Sequence, residues 1–354
     1  MLPDLLGGFD DFGAGVGDLY GKFRWQTGKR SVLNASFLGS MDGYSFVTVT
    51  EDEGGIRHRN SEKMGWKNMI GTVSWHLDGA RSFMDFRASV NRYTSSQEQH
   101  KYFRGVMNDL TLKSSLTEYM FSFDRTESMF KTFKMDYGTK LRLAEFAPGQ
   151  VASVNNASNT LLGTVYLQGR FDIEDRLLLR ATARGHYYSN FKDKAVKGGN
   201  VGRFDVDASV ALDWNIFKYL SLEATFDRMV QHYHTLEGLP VGWSLDMIVP
   251  SSREIVPENA LQGNLGFSSE IGKHTVSAGG FYKKMDDLVY YKYAQSLFSG
   301  GMASWEEDVD LGKGTSYGAE FLHEYVGKDL YTRVSYTWSK TNRYGFPNIN
   351  DGGE

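Results

Sequence analysis

The 354-residue chain has no cysteine, which excludes disulfides and thiolate metal sites. Proline is scarce, with 6 residues, which leaves long backbone-paired strands uninterrupted. No apolar run approaches the roughly 20 residues of a membrane helix. Neither sign of charge dominates: 39 Lys+Arg against 43 Asp+Glu give a net charge of -4. That balance offers no basic footprint for nucleic acid and no acidic tail. The opening stretch MLPDLLGGFDDFG lacks the basic start and long apolar core of a signal peptide. An exported protein needs one, so either this chain is not exported or its natural N-terminus lies upstream. The mean hydropathy of -0.41 does not exclude a membrane barrel, because its strands are apolar on one face only.

Aromatics and glycine are abundant: 20 Tyr, 23 Phe, 7 Trp and 39 Gly. They suit strands, tight turns and interfacial girdles. The stretch Gly314–Phe346 shows the unit from which the chain is built. Tyr317, Ala319, Phe321 and Tyr325 alternate with Ser316, Gly318, Glu320 and Glu324. After a turn at 326–329, Leu330, Thr332, Val334, Tyr336 and Trp338 alternate with Tyr331, Arg333, Ser335 and Thr337. Side chains on a strand point alternately to opposite faces, so each strand has one mostly apolar and one mostly polar face. Similar hairpins are predicted with turns at 28–30, 77–80, 125–128, 172–175, 215–219 and 271–274. Polar connections are expected near 41–65, 147–159, 235–259 and 294–313, and 95–112 reads as a polar loop grading into a strand.

About seven hairpins make about fourteen strands, each expected near the roughly 9–11 residues that cross a bilayer at a tilt. A short turn alternates with a long polar loop throughout, the layout of outer-membrane barrels, with short turns on the periplasmic side. The fold class is therefore all-β, an antiparallel transmembrane β-barrel. A soluble sandwich or propeller has shorter strands and less regular loop asymmetry.

Particular motifs then carry a resemblance. The stretch from Gly280 to Val289, GFYKKMDDLV, is similar to a strand-and-loop motif of TonB-dependent outer-membrane receptors. Val256-Pro257-Glu258-Asn259-Ala260 stands just before a strand, where these receptors carry a Pro-Glu segment. The stretch from Gly312 to Glu320, followed by Val334 to Ser339, resembles the family's late barrel hairpin, in its Bacteroidetes form. The resemblance implies a 22-stranded barrel plugged by an N-terminal domain. It also implies energised uptake of a scarce ligand: an iron chelate, cobalamin, glycan or peptide. The expected division is a lead-in segment at 1–17, a partial receptor barrel at 18–343 and the start of a truncated extracellular loop at 344–354. The implied partners are outer-membrane lipid, a small ligand, and the TonB complex through a plug domain absent from this chain. No cofactor and no nucleic acid are expected. The alternative is a passive outer-membrane porin or fatty-acid-type channel. No nucleophile–base pattern supports an enzyme.

Ligand capture is expected on the loops held by the scaffold. Tyr233, His234, Trp243, Tyr293 and Trp305 are the candidates, either as stacking surfaces or as girdle residues. Arg170, Arg180, Arg184, Asp205, Asp207, Asp213, Glu223 and Asp227 are expected to face the lumen. They form either a charged track or pairs with each other and with the plug. His232 with His234 makes a weak metal pair. Glu306, Glu307, Asp308 and Asp310 form an acidic loop without the spacing of an EF-hand.

Overall fold

A computed structural model of the chain describes residues 10–51, 54–103, 106–150, 157–174, 176–192, 200–236, 247–292 and 305–347. The strands run in order β1 Asp11–Gly28, β2 Ser31–Glu51, β3 Arg57–Asp78, β4 Ser82–Phe103, β5 Val106–Phe130 and β6 Phe133–Gln150. They continue with β7 Ser158–Ile173, β8 Leu177–Lys192, β9 Val201–Phe217, β10 Leu220–Gln231, β11 Tyr233–Leu236 and β12 Met247–Pro250. The last four are β13 Glu258–Ile271, β14 His274–Tyr291, β15 Val309–Val326 and β16 Tyr331–Tyr344. A 14-stranded antiparallel meander takes all of them except β11 and β12, which pair with each other. The first strand starts at Asp11, ahead of the expected 18.

Six of the seven short turns fall within two residues of their expected places. The exception is the third hairpin. Residues 125–128 are paired strand (Arg125 opposite Tyr137, Ser128 opposite Lys134), and Phe130 opposite Phe133 closes the hairpin. The polar run Asp-Arg-Thr-Glu-Ser looks like a turn, yet near the aqueous end a strand tolerates polar side chains on both faces. The same cause corrects two expected loops. Within 41–65, Met41–Glu51 belong to β2 and Arg57–Gly65 to β3, paired from Met41–Lys67 up to Glu51–Arg57. Within 95–112, Ser95–Phe103 belong to β4 and Val106–Leu112 to β5, paired from Ser95–Ser114 up to Phe103–Val106. Strands of the large sheet thus reach 25 residues, well beyond a bilayer crossing. Alternation fades where both faces meet water, but the backbone still needs hydrogen-bond partners.

The two faces separate as the alternation requires. Phe204, Val206, Val210 and Trp214 of β9 are exposed on the outer face, while Asp207 is buried on the inner one. The connection between β10 and β13 folds back over the inner face as the β11–β12 hairpin. On one side Tyr233 and Ile248 pack against Leu116, Ala144 and Phe146 of β5 and β6. On the other, Leu236 and Val249 join Ile255, Trp305 and Val309, with Val289 and Leu311 of β14 and β15 against them. In a flat sheet β6 and β14 would stand six strand spacings apart, about 29 Å. One short hairpin touches both, so the sheet curls around it. Of the loops expected at 235–259 and 294–313, the first contains the end of β11 and all of β12, with 237–246 outside the described residues, and the second ends in a 3₁₀ turn at Trp305–Asp308 and the start of β15, with 294–304 outside the described residues.

Candidate functional site

The hairpin is held at its base by a set of polar contacts. His232, between β10 and β11, directs Nε2 to Asp205 Oδ2 at 3.0 Å. Its ring stacks on Tyr188 at 4.8 Å and lies 5.8 Å from the ring of His186. His186 contacts Asp207 Oδ2 at 3.0 Å through Nε2 and Thr164 Oγ1 at 3.0 Å through Nδ1. Asp207 Oδ1 also accepts the Val230 amide at 2.9 Å. The returning strand is pinned at Ser251. Its carbonyl accepts hydrogen bonds from Tyr188 OH at 2.5 Å and Asn190 Nδ2 at 2.7 Å. Its amide donates to the His232 carbonyl at 2.8 Å. His234 Nε2 meets Ser251 Oγ at 2.8 Å. His234 Nδ1 sits 3.4 Å from Glu258 Oε1, an ion-pair distance without a hydrogen bond. Two titrations respond to this packing. Burial pushes the His232 pKa below its usual value, with Asp205 opposing. Burial raises that of the Tyr233 phenol.

A cavity of about 730 Å³ opens beneath the hairpin. Lys140, Arg142, Arg184 and Lys283 line it together with Asp124, Asp207 and Glu258, and Tyr166, His186 and Tyr233 complete the wall. The acids are engaged: Asp124 accepts from Tyr166 OH at 2.7 Å, Asp207 is held as described, and Glu258 Oε1 accepts the Val289 amide at 3.2 Å. The side chains of Lys140, Arg142 and Arg184 make no hydrogen bond or ion pair among the described residues, and Arg142 Nε is buried without a partner. The cavity therefore presents spare donors of positive charge, which suit carboxylate, phosphate or other anionic groups. A bulge at Asp287, whose φ is 61°, shifts the register of β14 against β15 between Asp286 and Leu288 on the facing wall.

The residues singled out in the sequence divide into four groups. Arg184, Asp207 and Tyr233 line the cavity. His234, 1 % exposed, and Trp305, 5 % exposed, are packed inside and hold the hairpin and its neighbour in place. Trp243 and Tyr293 lie outside the described residues. The other charges stand along the inner face. Arg180 pairs with Asp213 at 3.1 Å, Arg170 with Asp172 at 3.6 Å, and Asp227 accepts from Ser209 at 2.5 Å. Asp205 holds His232, and Glu223 sits opposite Asp213 on β10. His232 and His234 turn to different partners, and the described residues hold no group of three or more metal-ligating side chains. Sequence reasoning missed Lys140, Arg142 and Tyr188. Each sits at an even-numbered, inward position of a strand read correctly, so the alternation carried their direction but not their convergence.

No curated protein matches the chain in sequence. Solved structures match it in shape. The siderophore receptor PirA from Acinetobacter baumannii aligns with a TM-score of 0.65 at 12 % identity, over 94 % of this chain and 53 % of that one. The FrpB iron transporter from Neisseria meningitidis (F5-1 variant) aligns with a TM-score of 0.59 at 12 % identity, over 98 % and 65 %. The outer membrane transporter YddB from Escherichia coli aligns with a TM-score of 0.63 at 11 % identity, over 94 % and 48 %. At such identities the likeness concerns the fold, and the chain spans about half to two thirds of the length of these structures. The family model for the TonB dependent receptor-like beta-barrel matches residues 4–354, nearly the whole chain; together with the curled meander of long antiparallel strands, this places the chain in the family of TonB-dependent receptor β-barrels.

Proposed function

We propose that this chain forms the barrel wall of a receptor of the Bacteroidetes type that takes up a scarce anionic metal chelate. Energy arrives from the TonB complex through a plug domain. The observation that carries the ligand class is the cavity beneath the β11–β12 hairpin, where acids are satisfied and Lys140, Arg142 and Arg184 are not. Related folds include a siderophore receptor and a copper transporter, a class of cargo that agrees with this chemistry. Tyr233, from the hairpin, offers the aromatic face. The strands of the wall run from Asp11 to Tyr344. An enzymatic role has no support from the family. A passive channel is the lesser reading, because a hairpin folded across the lumen obstructs free diffusion.

The test is a binding titration of the receptor with ferric carboxylate and ferric catecholate chelates. Arg142→Gln with Arg184→Gln should weaken binding by at least about tenfold, the loss of one charge-assisted hydrogen bond. Replacing 233–250 by a short Gly-Ser link should abolish it while the barrel still assembles. Unchanged affinity in both variants would move the site elsewhere. Preferential binding of cobalamin, a neutral glycan or a peptide would replace the ligand class.

A further inference from the structure

The uptake proposed above makes no use of two histidines on the outer face of β14 and β15. His274 lies opposite Tyr325 and His323 opposite Val276, so the two side chains are diagonal neighbours on one face. His274 Nδ1 stands 3.0 Å from His323 Nε2, with the ring planes 13° apart and the centroids 5.3 Å apart. That centroid distance is the N···N distance lengthened by the two ring radii. The rings therefore meet edge to edge, with their nitrogens pointing at each other. The chain has 8 histidines. Five of the others face a carboxylate, as His76 does Asp78 at 3.0 Å and His100 does Asp109 at 2.7 Å. His274 and His323 reach no carboxylate among the described residues. The acids nearest in sequence, Glu270 and Glu324, both stand opposite Thr275 and so occupy the inner face.

The height of the pair follows from the register. Tyr282 lies opposite Tyr317, and Tyr317 opposite Lys340, which marks the long-loop border of the apolar band on these strands. From Tyr282 to His274 is about nine residues, one tilted crossing of the hydrocarbon. His274 is the first residue of β14, next to the turn through Gly272, whose φ is 62°. The pair thus stands at the opposite border, where the wall meets water at the short-turn end. His274 is exposed there and His323 half-buried.

We propose that His274 and His323 together bind one divalent late transition-metal ion, such as Cu²⁺ or Zn²⁺. Neutral imidazole nitrogen suits these ions. An ion at about 2.0–2.1 Å from each nitrogen holds neighbouring ligand atoms about 2.9–3.3 Å apart, from square to tetrahedral arrangement, and the pair already stands at 3.0 Å. Turning the two rings outward brings both lone pairs onto one point. The proton shared in the hydrogen bond moves to the other nitrogen of the ring that carried it, so both imidazoles stay neutral. Water completes the coordination, because two protein ligands leave the site open. The bound ion fastens β14 to β15 where their ladder ends at His274 and Tyr325.

The test titrates the full chain, without an affinity tag and in neutral detergent, with CuCl₂ and with ZnCl₂. Calorimetry should show one saturable site per chain, and pulsed EPR of the Cu²⁺ form should show two equatorial imidazoles. His274→Gln and His323→Gln should each weaken binding by at least about tenfold, since losing a ligand costs no less than losing an outer-shell partner. His76→Gln with His100→Gln should leave binding and spectrum unchanged. A second measurement needs no variant: carbethoxylation of the unaltered protein, mapped by mass spectrometry, should spare His274 and His323 when Zn²⁺ is present. Absence of a saturable site in the unaltered protein overturns the proposal, as does a Cu²⁺ spectrum with fewer than two imidazoles. Undiminished affinity in His274→Gln with His323→Gln overturns it too. Where the variants do not assemble, the labelling decides, and equal modification of both histidines with and without Zn²⁺ overturns the site.

Discussion

Val210 and Phe226 oppose each other across β9 and β10, 47 % and 55 % exposed on the outer face. Ser209, the next residue, faces inward and donates to Asp227 at 2.5 Å. One step along the chain thus separates hydrocarbon from lumen. Val210→Arg should destabilise the folded barrel by roughly 2–4 kcal/mol if it lies near the midplane, and Ser209→Arg should cost less. Denaturant titration of both variants in vesicles measures the difference, and equal losses would mean the faces are misassigned. A second residue-scale outcome concerns His232. Its pKa is lowered by burial, with Asp205 opposing and His186 and Arg203 adding to the lowering. The unfolded chain therefore takes up a proton at this site before the folded one does. The contribution of neutral His232 is present above the ordinary histidine value, about 6.5, and is lost as pH falls through the folded value. Protection of the amides at 247–252, taken relative to the intrinsic exchange rate at each pH, should fall between pH 7.5 and pH 5, and His232→Gln should flatten that dependence. Protection that is insensitive to pH in the unaltered protein would contradict it.

At the scale of elements, the inward hairpin depends on few contacts. Two side chains of β8, Tyr188 and Asn190, donate to one carbonyl, that of Ser251. Removing both donors leaves a buried acceptor unpaired, at a cost of roughly 1–3 kcal/mol. Tyr188→Phe with Asn190→Ala should therefore loosen β11 and β12 and leave the barrel transition in place. Hydrogen exchange on the hairpin, set against thermal unfolding of the whole, separates the two. A fall in barrel stability as large as the loss of hairpin protection would show that Tyr188 holds the wall instead. The seven hairpins of the wall were legible in the sequence because lipid on one side and lumen on the other impose a period of two on residues such as 204–214. The extracellular halves of β2 to β5 were not, since Met41 to Glu51 and Ser95 to Phe103 meet water on both faces. The hairpin was hidden for a different reason. Four-residue strands carry too few alternations to register, and the partners that hold them, Phe146, Asn190 and Glu258, lie on strands far away in sequence. The cavity was legible in part: inward Arg184 and Asp207 followed from alternation, whereas their meeting with Arg142 and Tyr233 depends on how tightly the sheet curls.

At the scale of the molecule, the chain is a β-barrel protein of the outer membrane, and its strands do the crossing; among the described residues no helix is long and apolar enough to do so. The wall alone does not perform work. On the proposed reading, a ligand held beneath the hairpin would meet contacts from β6, β8 and β13 together with the hairpin itself, and moving it inward would require several of these to be given up at once. Thermal motion opens such a site only rarely, and the outer membrane offers no gradient of its own to bias the direction. On the proposed reading, coupling to an energised partner at the short-turn end would remove both obstacles. In cells lacking TonB, surface binding of the ferric chelate should accordingly persist with unchanged affinity while accumulation inside stops. Cells expressing the receptor, with and without TonB, can be assayed for both with the same radiolabelled chelate. Accumulation that continues without TonB, and rises linearly with external concentration, would identify a passive channel in which the hairpin does not close the path.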